Sequence, residues 1–416
     1  MLTCNEKLSF EDIINLYKTS CKEDELIGVE YERLPIEKKE YTSVSYYGLL
    51  GVCEILKEFA QKDNWDYITD NGEIIGLKKI HDTITLEPGS QIELSLEPQK
   101  TITQLKEKIT EINNELIPLF DKYGMSLLNY GVSPKTTYKN IKIIPKKRYH
   151  LMANYLWGIL SDVMMRETAG IQVGIDYKSE EDGMYKFNIA NKLSPFITAM
   201  FANSKMRGGV NTGYKSFRAL AWLNTDNERC GLATKFKPNM EFKDYVNTLL
   251  DVPMIYIVRD NNYININGKI NFKQFLSDGY MGYYATMDDY RLHSNLFFPE
   301  VRLRNFIEIR NHDCVEEKYL YSLLAIYKGI FYNPNALKSI EELLNKFSYN
   351  DILECRYGIP RFALDYKIKG LSVKDLTKEI LSISKSSLKE KKDNEISFIE
   401  PIIELNSQGL IPADIS

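Results

Sequence analysis

Acidic residues recur on one face of three stretches in which apolar and polar residues alternate. Such alternation is typical of a β-strand with one face in a hydrophobic core, because successive side chains point to opposite sides. The acidic residues therefore share the face that the core does not use. They are Glu30 and Glu32 in residues 26–34, Glu93 in residues 91–96 with Glu87 just before it, and Glu308 in residues 299–310.

Two interpretations of these acidic faces are open. Faces turned to water are the common case and need no chemistry. If the faces instead line one cavity, the carboxylates repel each other unless a cation neutralises them, and oxygen ligands favour Mg²⁺ or Mn²⁺. Arg302, Arg304 and Arg310 beside Glu308 would then stabilise the charge of a transferred phosphoryl group. The sequence contains neither GxxxxGK[ST] nor GxGxxG, which argues against a P-loop or Rossmann nucleotide site.

Other catalytic classes fit the sequence less well. Paired carboxylates also serve glycoside hydrolysis, but more acids line up here than that reaction uses. A nucleophilic triad is poorly supported, because no GxSxG motif is present. We expect the histidines to be structural; they are His81, His150, His293 and His312.

A second cluster of chemically capable residues lies at 211–229. Arg218 and Trp222 are four residues apart, so on a helix their side chains could meet and grip a carboxylate. A packed indole beside a surface arginine explains the same spacing equally well. The residues alone leave this choice open.

The composition of the 416-residue chain is that of a folded globular protein, with 44% hydrophobic and 26% charged residues. A net charge of -4 gives no sign of binding to nucleic acid or anionic lipid, so the expected partners are small molecules or proteins. No signal-peptide pattern and no stretch of about 18 apolar residues occurs, which predicts a cytoplasmic protein without membrane spans. The six cysteines form no CxxC pair, which predicts reduced thiols.

The remaining patterns predict an α+β protein. Ser9 and Thr101 are capping candidates for a short helix and for a long amphipathic helix over residues 101–123. A further helix is expected at 44–61, helical segments on either side of Pro195, and a strand at 299–310. From residue 315 the pattern is helical, broken by the charged, serine-rich residues 384–395. We therefore predict a catalytic domain at 1–314 and a helical C-terminal lobe at 315–416.

Six longer motifs resemble those of one family. They are GVEYER (28–33), IIGLKK (74–79), ITLEPGSQIELS (84–95), PKKRYHLM (145–152), MMRETAGIQVGID (164–176) and FPEVRLRNFIEIRNHD (298–313). In this order they look like the plant and alphaproteobacterial type of glutamate-cysteine ligase, and the resemblance covers residues 26–405. It implies a glutamine-synthetase-like fold, in which an antiparallel sheet curves into a funnel flanked by helices.

The resemblance also implies a reaction. In that family ATP and two or three Mg²⁺ ions, with Mn²⁺ as an alternative, lie in the funnel, where the γ-carboxylate of glutamate is phosphorylated and then attacked by the amine of cysteine. The product is γ-glutamylcysteine, a precursor of glutathione-type thiols. By motif, the metal ligands would be Glu30, Glu32, Glu93 and Glu308, the catalytic residues Glu87 and Arg310, the phosphate-binding residues Lys78, Arg302 and Arg304, and the substrate-binding residues Gln172, Arg218 and Trp222.

Departures from the family pattern lie at Gly174, Ala169, Ile255 and Val258, which we expect near the end of the site that holds the substrates. They motivate a second hypothesis, a paralogous carboxylate-amine ligase that joins glutamate to another amine. A third hypothesis is a non-catalytic nucleotide or amino-acid sensor on the same scaffold. The redox-switch cysteines of the plant enzymes have no evident counterparts, so we expect no thiol-regulated dimerisation. A monomer and a homodimer both stay open.

Overall fold

The computed structural model describes residues 7–416 with the exception of 236, 238 and 392. The strands are β1 (Ile27–Glu37), β2 (Asp66–Asp70), β3 (Glu73–Lys79), β4 (Asp82–Leu86), β5 (Ile92–Gln99), β6 (Met125–Leu128), β7 (Gly170–Ile175), β8 (Met206–Arg207), β9 (Val210–Asn211), β10 (Cys230–Gly231), β11 (Tyr256–Arg259), β12 (Asn262–Asn265), β13 (Phe298–Pro299), β14 (Val301–Leu303), β15 (Ile307–Asp313), β16 (Lys367–Ile368) and β17 (Leu371–Ser372). The helices are α1 (Phe10–Lys18), α2 (Val52–Asp63), α3 (Ile102–Lys122), α4 (Lys147–Tyr155), α5 (Ser161–Glu167), α6 (Glu180–Met200), α7 (Phe217–Leu223), α8 (Phe242–Asp251), α9 (Phe272–Asp278), α10 (Met287–Ser294), α11 (Glu317–Phe331), α12 (Pro334–Leu344), α13 (Tyr349–Phe362), α14 (Val373–Glu390), α15 (Glu400–Ser407) and α16 (Pro412–Ile415).

The largest sheet has the strand order β14-β15-β7-β1-β5-β4-β3-β2, with β6 also paired to β1. Every pairing in this sheet is antiparallel. The predicted α+β class with a large antiparallel sheet is therefore confirmed. The capping residues Ser9 and Thr101 also begin their helices as predicted.

The register of this sheet brings the acidic residues to one face. Glu32 lies opposite Glu93 in the β1–β5 pair, and Glu30 lies opposite Gln172 in the β1–β7 pair. Directly opposed residues project from the same side of a sheet. Glu308 lies on β15, the next strand beyond β7. Strands that are far apart in the chain thus contribute to one polar surface.

The opposite face of the sheet forms the hydrophobic core. Tyr31, Ile171 and Ile309 are fully buried there, and helices α3, α6 and α11 contact this sheet. A slip of one residue in the pairing would turn the carboxylates into the core. Burial of this face therefore fixes which side chains reach the polar surface.

Residues 299–310 do not form the single strand that the alternation predicted. They form the hairpin β14–β15, in which Arg304 N donates to Phe306 O at the turn. Arg302 consequently lies directly opposite Glu308. The turn makes the arginines and this glutamate cross-strand neighbours on one face.

Helix α6 runs without a break through Pro195, where a division into two segments was predicted. A proline removes the hydrogen bond to the carbonyl four residues earlier, which here belongs to Asn191. The Ser194 hydroxyl donates to that oxygen at 3.2 Å. This substitute bond and the complete burial of Ser194 and Pro195 explain why the helix continues.

Two other helix boundaries differ from the prediction. Helix α14 extends to Glu390 through the stretch that was expected to break it, because Ser384 is buried and its hydroxyl donates to backbone oxygens of α11. Helix α2 begins only at Val52. Helix α13 lies in the region that was expected to be helical from residue 315, although no separate segment was predicted there.

The helices after residue 315 pack on the rest of the chain through contacts of α11 with β7 and of α12, α13 and α14 with α6. The division at residue 314 stays a prediction. In the described part of the chain, no helix is both long and apolar enough to cross a membrane. The described cysteines, which are Cys21, Cys53, Cys230, Cys314 and Cys355, are free thiols, and Cys4 lies outside the described residues.

Candidate active site

The polar face of the sheet lines a cavity of about 310 Å³. Its walls come from strands β1, β4, β5, β7, β14 and β15 and from helices α4, α5 and α7 with their flanking residues. The charged and polar side chains that line it include Glu30, Glu32, Thr85, Glu87, Gln91, Glu93, Lys146, Arg148, Tyr149, Thr168, Gln172, Arg218, Arg302 and Arg310. The structure therefore brings together most of the residues that the sequence singled out.

Four glutamates form one wall of this cavity, which we call the acidic wall: Glu30, Glu32, Glu87 and Glu93. Glu32 accepts hydrogen bonds from the backbone of Gly170 at 2.5 Å and from the Gln172 amide at 2.9 Å. Glu93 accepts one from Thr85 at 2.9 Å. These bonds fix the carboxylates in the positions that the strand register gives them.

The acidic wall is electrostatically strained. Burial and the neighbouring Glu308 raise the pKa of Glu30 to about 7. Burial and Glu87 raise the pKa of Glu32, and burial together with Glu30, Glu87 and Glu32 raises the pKa of Glu93 well above its usual range. Carboxylates whose pKa values are raised by burial and by mutual repulsion form a set that a cation would neutralise.

Arginines surround the fifth carboxylate, that of Glu308. Arg302 binds it in a bidentate manner, with Nε to Oε2 at 2.6 Å and Nη2 to Oε1 at 3.1 Å. Arg304 approaches Oε1 at 3.2 Å and Arg310 approaches Oε2 at 3.3 Å. We call these four residues the arginine cluster. Burial alone would raise the pKa of Glu308, but Arg302, Arg310 and Arg304 outweigh it and hold the pKa far below its usual range.

Gln172 connects the acidic wall to the arginine cluster. Its amide nitrogen donates to Glu32, while its amide oxygen accepts from Arg310 Nη1 at 2.6 Å. The amide orientation is thereby determined, since its donor end faces an anion and its acceptor end faces a cation. The two charged groups are held next to each other without a direct ion pair between Glu32 and Arg310.

Arg218 and Trp222 lie at the same end of the cavity. The Arg218 guanidinium carbon lies 5.8 Å from the centre of the Trp222 ring, so the two side chains meet as their spacing allowed. Arg218 is only 3% exposed, and a Cβ on Gly170 would fall 2.4 Å from its Nη2. Burial lowers the pKa of Arg218, against the raising effect of Glu32 and Asp313. A buried arginine is therefore presented to the cavity, which removes the surface-arginine interpretation.

Two predicted phosphate-binding residues have other surroundings than expected. Lys78 is exposed on β3 and lies three strands away from Glu30, outside the described lining of the cavity. Arg302 uses its guanidinium on Glu308 and on the carbonyl oxygen of Phe297, at 3.0 Å. Arg304 is less buried and also lines a separate space beside Tyr17. Of these three, Arg302 alone belongs to the described lining of the main cavity.

The sequence reasoning missed the basic residues of the segment before and within α4. Lys146 and Arg148 line the same cavity as the acidic wall, and Tyr149 donates to Glu87 Oε1 at 3.0 Å. Lys147 points elsewhere and lies over the ring of Tyr263. The signal was present in the motif PKKRYHLM, where three consecutive basic residues come directly before an aromatic one.

Two of the departures from the family pattern, Gly174 and Ile255, do not lie where we expected them. Gly174 is at the other end of β7 from Gly170, and a Cβ there would be 3.1 Å from the Phe306 ring instead of near Arg218. Ile255 is 1% exposed and belongs to the hydrophobic core. The observations that motivated a different amine acceptor therefore concern other parts of the molecule.

The donor set can be tested for a metal ion. Among the described residues, no three acidic, histidine or cysteine side chains are grouped closely enough to enclose an ion. Mg²⁺ does not need such a cage, because it commonly takes one or two carboxylates and completes its coordination shell with water and substrate phosphates. The acidic wall fits an open site of that kind.

Curated relatives match the whole length of the chain. Glutamate-cysteine ligase A, chloroplastic, of Oryza sativa subsp. indica is 33% identical over 417 residues, which cover 98% of this chain and 84% of the relative. The chloroplastic glutamate-cysteine ligase of Arabidopsis thaliana is 31% identical over 421 residues, with coverage of 99% and 80%. Because these relatives are named as chloroplast proteins, they contradict the predicted cytoplasmic location.

Solved structures agree on the fold. The glutamate-cysteine ligase of Francisella tularensis in complex with AMP has a TM-score of 0.57 at 13% identity, covering 94% of this chain and 84% of that one. The bifunctional glutathione synthetase of Pasteurella multocida has a TM-score of 0.50 at 11% identity, covering 96% and 49%. The family that matches in sequence, over residues 26–415, is glutamate-cysteine ligase family 2. This match, together with the relatives of similar length, establishes that the chain is a ligase and belongs to glutamate-cysteine ligase family 2.

Proposed function

We propose that this ligase uses ATP and Mg²⁺ to activate the γ-carboxylate of glutamate as an acyl phosphate and joins it to the amine of cysteine. The product is γ-glutamylcysteine, a precursor of glutathione-type thiols. The observation that carries the proposal is the contact of the acidic wall with the arginine cluster through Gln172 in one cavity. ATP and the γ-carboxylate of glutamate are both anions. Their reaction therefore needs arginines that offset this charge and carboxylates that hold a metal cation at the same place.

Glu30, Glu32 and Glu93 are the residues that would hold Mg²⁺. When bound, the ion offsets the negative charge of the phosphates and polarises a phosphoryl oxygen. Glu308, predicted from its motif as a fourth ligand, has both oxygens occupied by arginines, and we assign it the task of holding those arginines in place. Its strongly lowered pKa keeps it ionised for that task.

Arg310 stabilises the transferred phosphoryl group, and Lys146 and Arg148, which line the same cavity, bind phosphates. Preorganised cations lower the barrier most when they already stand where charge develops. Arg310 is held from two sides, by Gln172 and by Glu308. It therefore does not have to reorganise during the reaction.

Arg218 binds the carboxylate of an amino-acid substrate beside the Trp222 ring, and Gln172 contacts the same substrate. The attacking ammonium must lose a proton before it becomes a nucleophile. Glu87 lies in the cavity wall and is oriented by the Tyr149 hydroxyl, so we assign it as the acceptor of that proton.

The direct test is release of phosphate from ATP with Mg²⁺ and L-glutamate, in the presence of cysteine or of a panel of other amines, with products identified by mass. We expect turnover to depend on the amine and cysteine to give the γ-glutamyl dipeptide. Strong preference for another amine would contradict the assigned acceptor. Binding of ATP without turnover with any amine would contradict the assigned reaction.

Arg218→Lys should raise the KM for glutamate by about tenfold or more, with a smaller effect on kcat, because a point ammonium cannot reproduce a guanidinium fork. Steady-state kinetics with glutamate as the varied substrate measure this change. Arg361→Lys, at an exposed position of α13, is the matched control and should behave as wild type. An unchanged KM in Arg218→Lys would give Arg218 a structural role only.

A further inference from the structure

Strand β15 contains a bulge beside the active-site cavity. Arg310 and Asn311 of this strand together lie opposite the single residue Gln172 of β7. An extra residue in one strand reverses the face on which the following side chains project. Asp313 consequently lies opposite Gly170 and on the same side of the sheet as the acidic wall, because directly opposed residues share a face. Without the bulge, the Asp313 carboxylate would point into the hydrophobic core.

The bulge also contributes to holding the side chain of Arg218. The carbonyl oxygen of Arg310, which belongs to the bulge, accepts a hydrogen bond from Arg218 Nη2 at 3.1 Å. The same guanidinium packs directly on the backbone of Gly170, where a Cβ would fall 2.4 Å from Nη2. Backbone atoms of β7 and β15 therefore fix the end of the Arg218 side chain.

Asp313 is 1% exposed and accepts three hydrogen bonds. Its Oδ2 accepts from the backbone of Asn203 at 2.8 Å and from the hydroxyl of Ser204 at 2.6 Å. Its Oδ1 accepts from the hydroxyl of Ser216 at 2.8 Å. A hydroxyl group has a single hydrogen, so each serine that donates to Asp313 keeps its lone pairs for other donors. The carboxylate thereby determines how both hydroxyls are oriented.

These two hydroxyls hold the start of α7. Ser204 Oγ accepts from the backbone of Arg218 at 3.1 Å, and Ser216 Oγ accepts from the backbone of Ala219 at 3.0 Å. The first N–H groups of a helix have no partner within the helix and need acceptors of this kind. Asp313 is therefore connected to the backbone of Arg218 through one intervening hydroxyl.

Asp313 also balances the charge of Arg218. Burial and Arg310 lower the pKa of Arg218, whereas Glu32 and Asp313 raise it. Burial raises the pKa of Asp313, and Arg218 lowers it. Under the proposed function Glu32 binds Mg²⁺, so its charge is shared with that ion. Asp313 lies outside the described lining of the main cavity and keeps its charge for Arg218.

We propose that Asp313 is the positioning residue of Arg218, holding its backbone through Ser204 and supplying the charge that balances its buried guanidinium. The ligand of Arg218, an amino-acid carboxylate, rests on the proposed function, whereas the support of Arg218 by Asp313 does not. Because Asp313 does not line the main cavity, its loss should change substrate binding only through Arg218.

Asp313→Asn removes the charge at nearly constant shape. We expect it to raise the KM for glutamate by about tenfold and to change kcat and the KM for ATP by less than about twofold. In the background of Arg218→Lys, the same substitution should add less than about twofold, since the residue that it positions is already altered. Equal costs in both backgrounds would overturn the proposal, and so would a lower kcat with an unchanged KM for glutamate.

Asp289→Asn is the matched control, because Asp289 is also a buried carboxylate at a helix start with an arginine partner. It is 3% exposed and accepts from the hydroxyl of Thr286 at 2.8 Å and from Arg259 Nη2 at 2.7 Å. We expect this variant to lose stability without any change in the KM for glutamate. Ser204→Ala is a second test, which keeps Asp313 and removes its link to the Arg218 backbone. An unchanged KM for glutamate in Ser204→Ala would overturn the proposal even if Asp313→Asn failed to fold.

The fluorescence of Trp222 reports on Arg218 without any substrate, because the guanidinium carbon lies 5.8 Å from the centre of the indole ring. The chain has three tryptophans, so Trp65→Phe and Trp157→Phe leave Trp222 as the only one. In this background we expect Asp313→Asn and Arg218→Lys to shift the emission maximum, and Asp289→Asn to leave it in place. An unchanged spectrum in Asp313→Asn would overturn the proposal. A shifted spectrum in a protein that binds no glutamate would support the positioning role and contradict only the proposed function.

Discussion

At the scale of single residues, Gly174 has a role that its position in the motif did not suggest. It lies opposite Gly28 in the β1–β7 pair, and the Phe306 ring covers it from the hairpin turn. An added Cβ would stand 3.1 Å from that ring, which is closer than ordinary packing. The absence of a side chain at Gly174 therefore makes room for the Phe306 ring.

Gly174→Asn should lower the free energy of unfolding by about 1–3 kcal/mol, the usual cost of overpacking. Chemical denaturation of wild type and variant measures the difference. In the background of Phe306→Ala the same substitution should cost much less, because the ring that it displaces is gone. Equal costs in both backgrounds would show that the two residues do not compete for space.

The positions of the glutamates could be predicted from the sequence, while their partners could not. A period of two places Glu30, Glu32 and Glu93 on one face wherever the strands lie in the sheet. The arginines around Glu308 depend on a hairpin turn at residues 304–306, which the unbroken alternation concealed. Lys146 enters the cavity from a loop, where no periodicity shows its direction.

At the scale of elements, the turn between β4 and β5 positions one end of the acidic wall. Gly89 N donates to the Gln91 side chain at 2.7 Å, and Gln91 in turn donates to the carbonyl oxygens of Met165 and Thr168. A Cβ on Gly89 would fall 2.2 Å from the carbonyl oxygen of Arg166. The turn can therefore pack this closely against α5 only because residue 89 has no side chain.

Gly89→Ala should destabilise the protein by about 1–3 kcal/mol and reduce activity together with stability, because the turn must move and Glu87 moves with it. The denaturation midpoint and kcat are the two measurements. Gly72→Ala is the control, since nothing lies within 4 Å of a Cβ in that turn, although its positive φ adds some strain. A loss no larger than that of the control would contradict the close contact.

Sequence patterns predicted breaks in two helices at positions where tertiary contacts allow the helix to continue. Helix α6 passes Pro195 because Ser194 supplies a bond to Asn191. Helix α14 passes its serine-rich part because Ser384 bonds to α11. Neither compensation is visible in hydrophobic periodicity. Helix α13 does carry a local signal, the capping box of Ser348 with Asp351.

At the scale of the whole molecule, one cavity brings together carboxylates and arginines from distant parts of the chain. Burial and the neighbouring Glu308 raise the pKa of Glu30 to about 7, against an ordinary value of 4.5. Between these pH values the folded chain holds more protons at this site than the unfolded chain does. The contribution of Glu30 to stability is thus complete below its ordinary pKa and is lost as pH rises through about 7.

We therefore expect the free energy of unfolding without Mg²⁺ to fall between about pH 5 and about pH 8 more steeply in wild type than in Glu30→Gln. Addition of Mg²⁺ should reduce this difference, because a cation favours the ionised carboxylate. Melting temperatures across this pH range, with and without Mg²⁺, measure both effects. Parallel curves for the two proteins would contradict the raised pKa of Glu30.

The order of strands in the sheet has a consequence for synthesis of the chain. The whole acidic wall is encoded before residue 100, whereas the arginine cluster follows after residue 300. A ribosome adding about 5–20 residues per second needs roughly 10–40 s to cover that interval. During this time the carboxylates of the nascent β1 and β5 lack the arginines of the arginine cluster. Because these carboxylates repel one another, they stay hydrated. The hairpin β14–β15 can complete the cavity only after residue 313 has been synthesised.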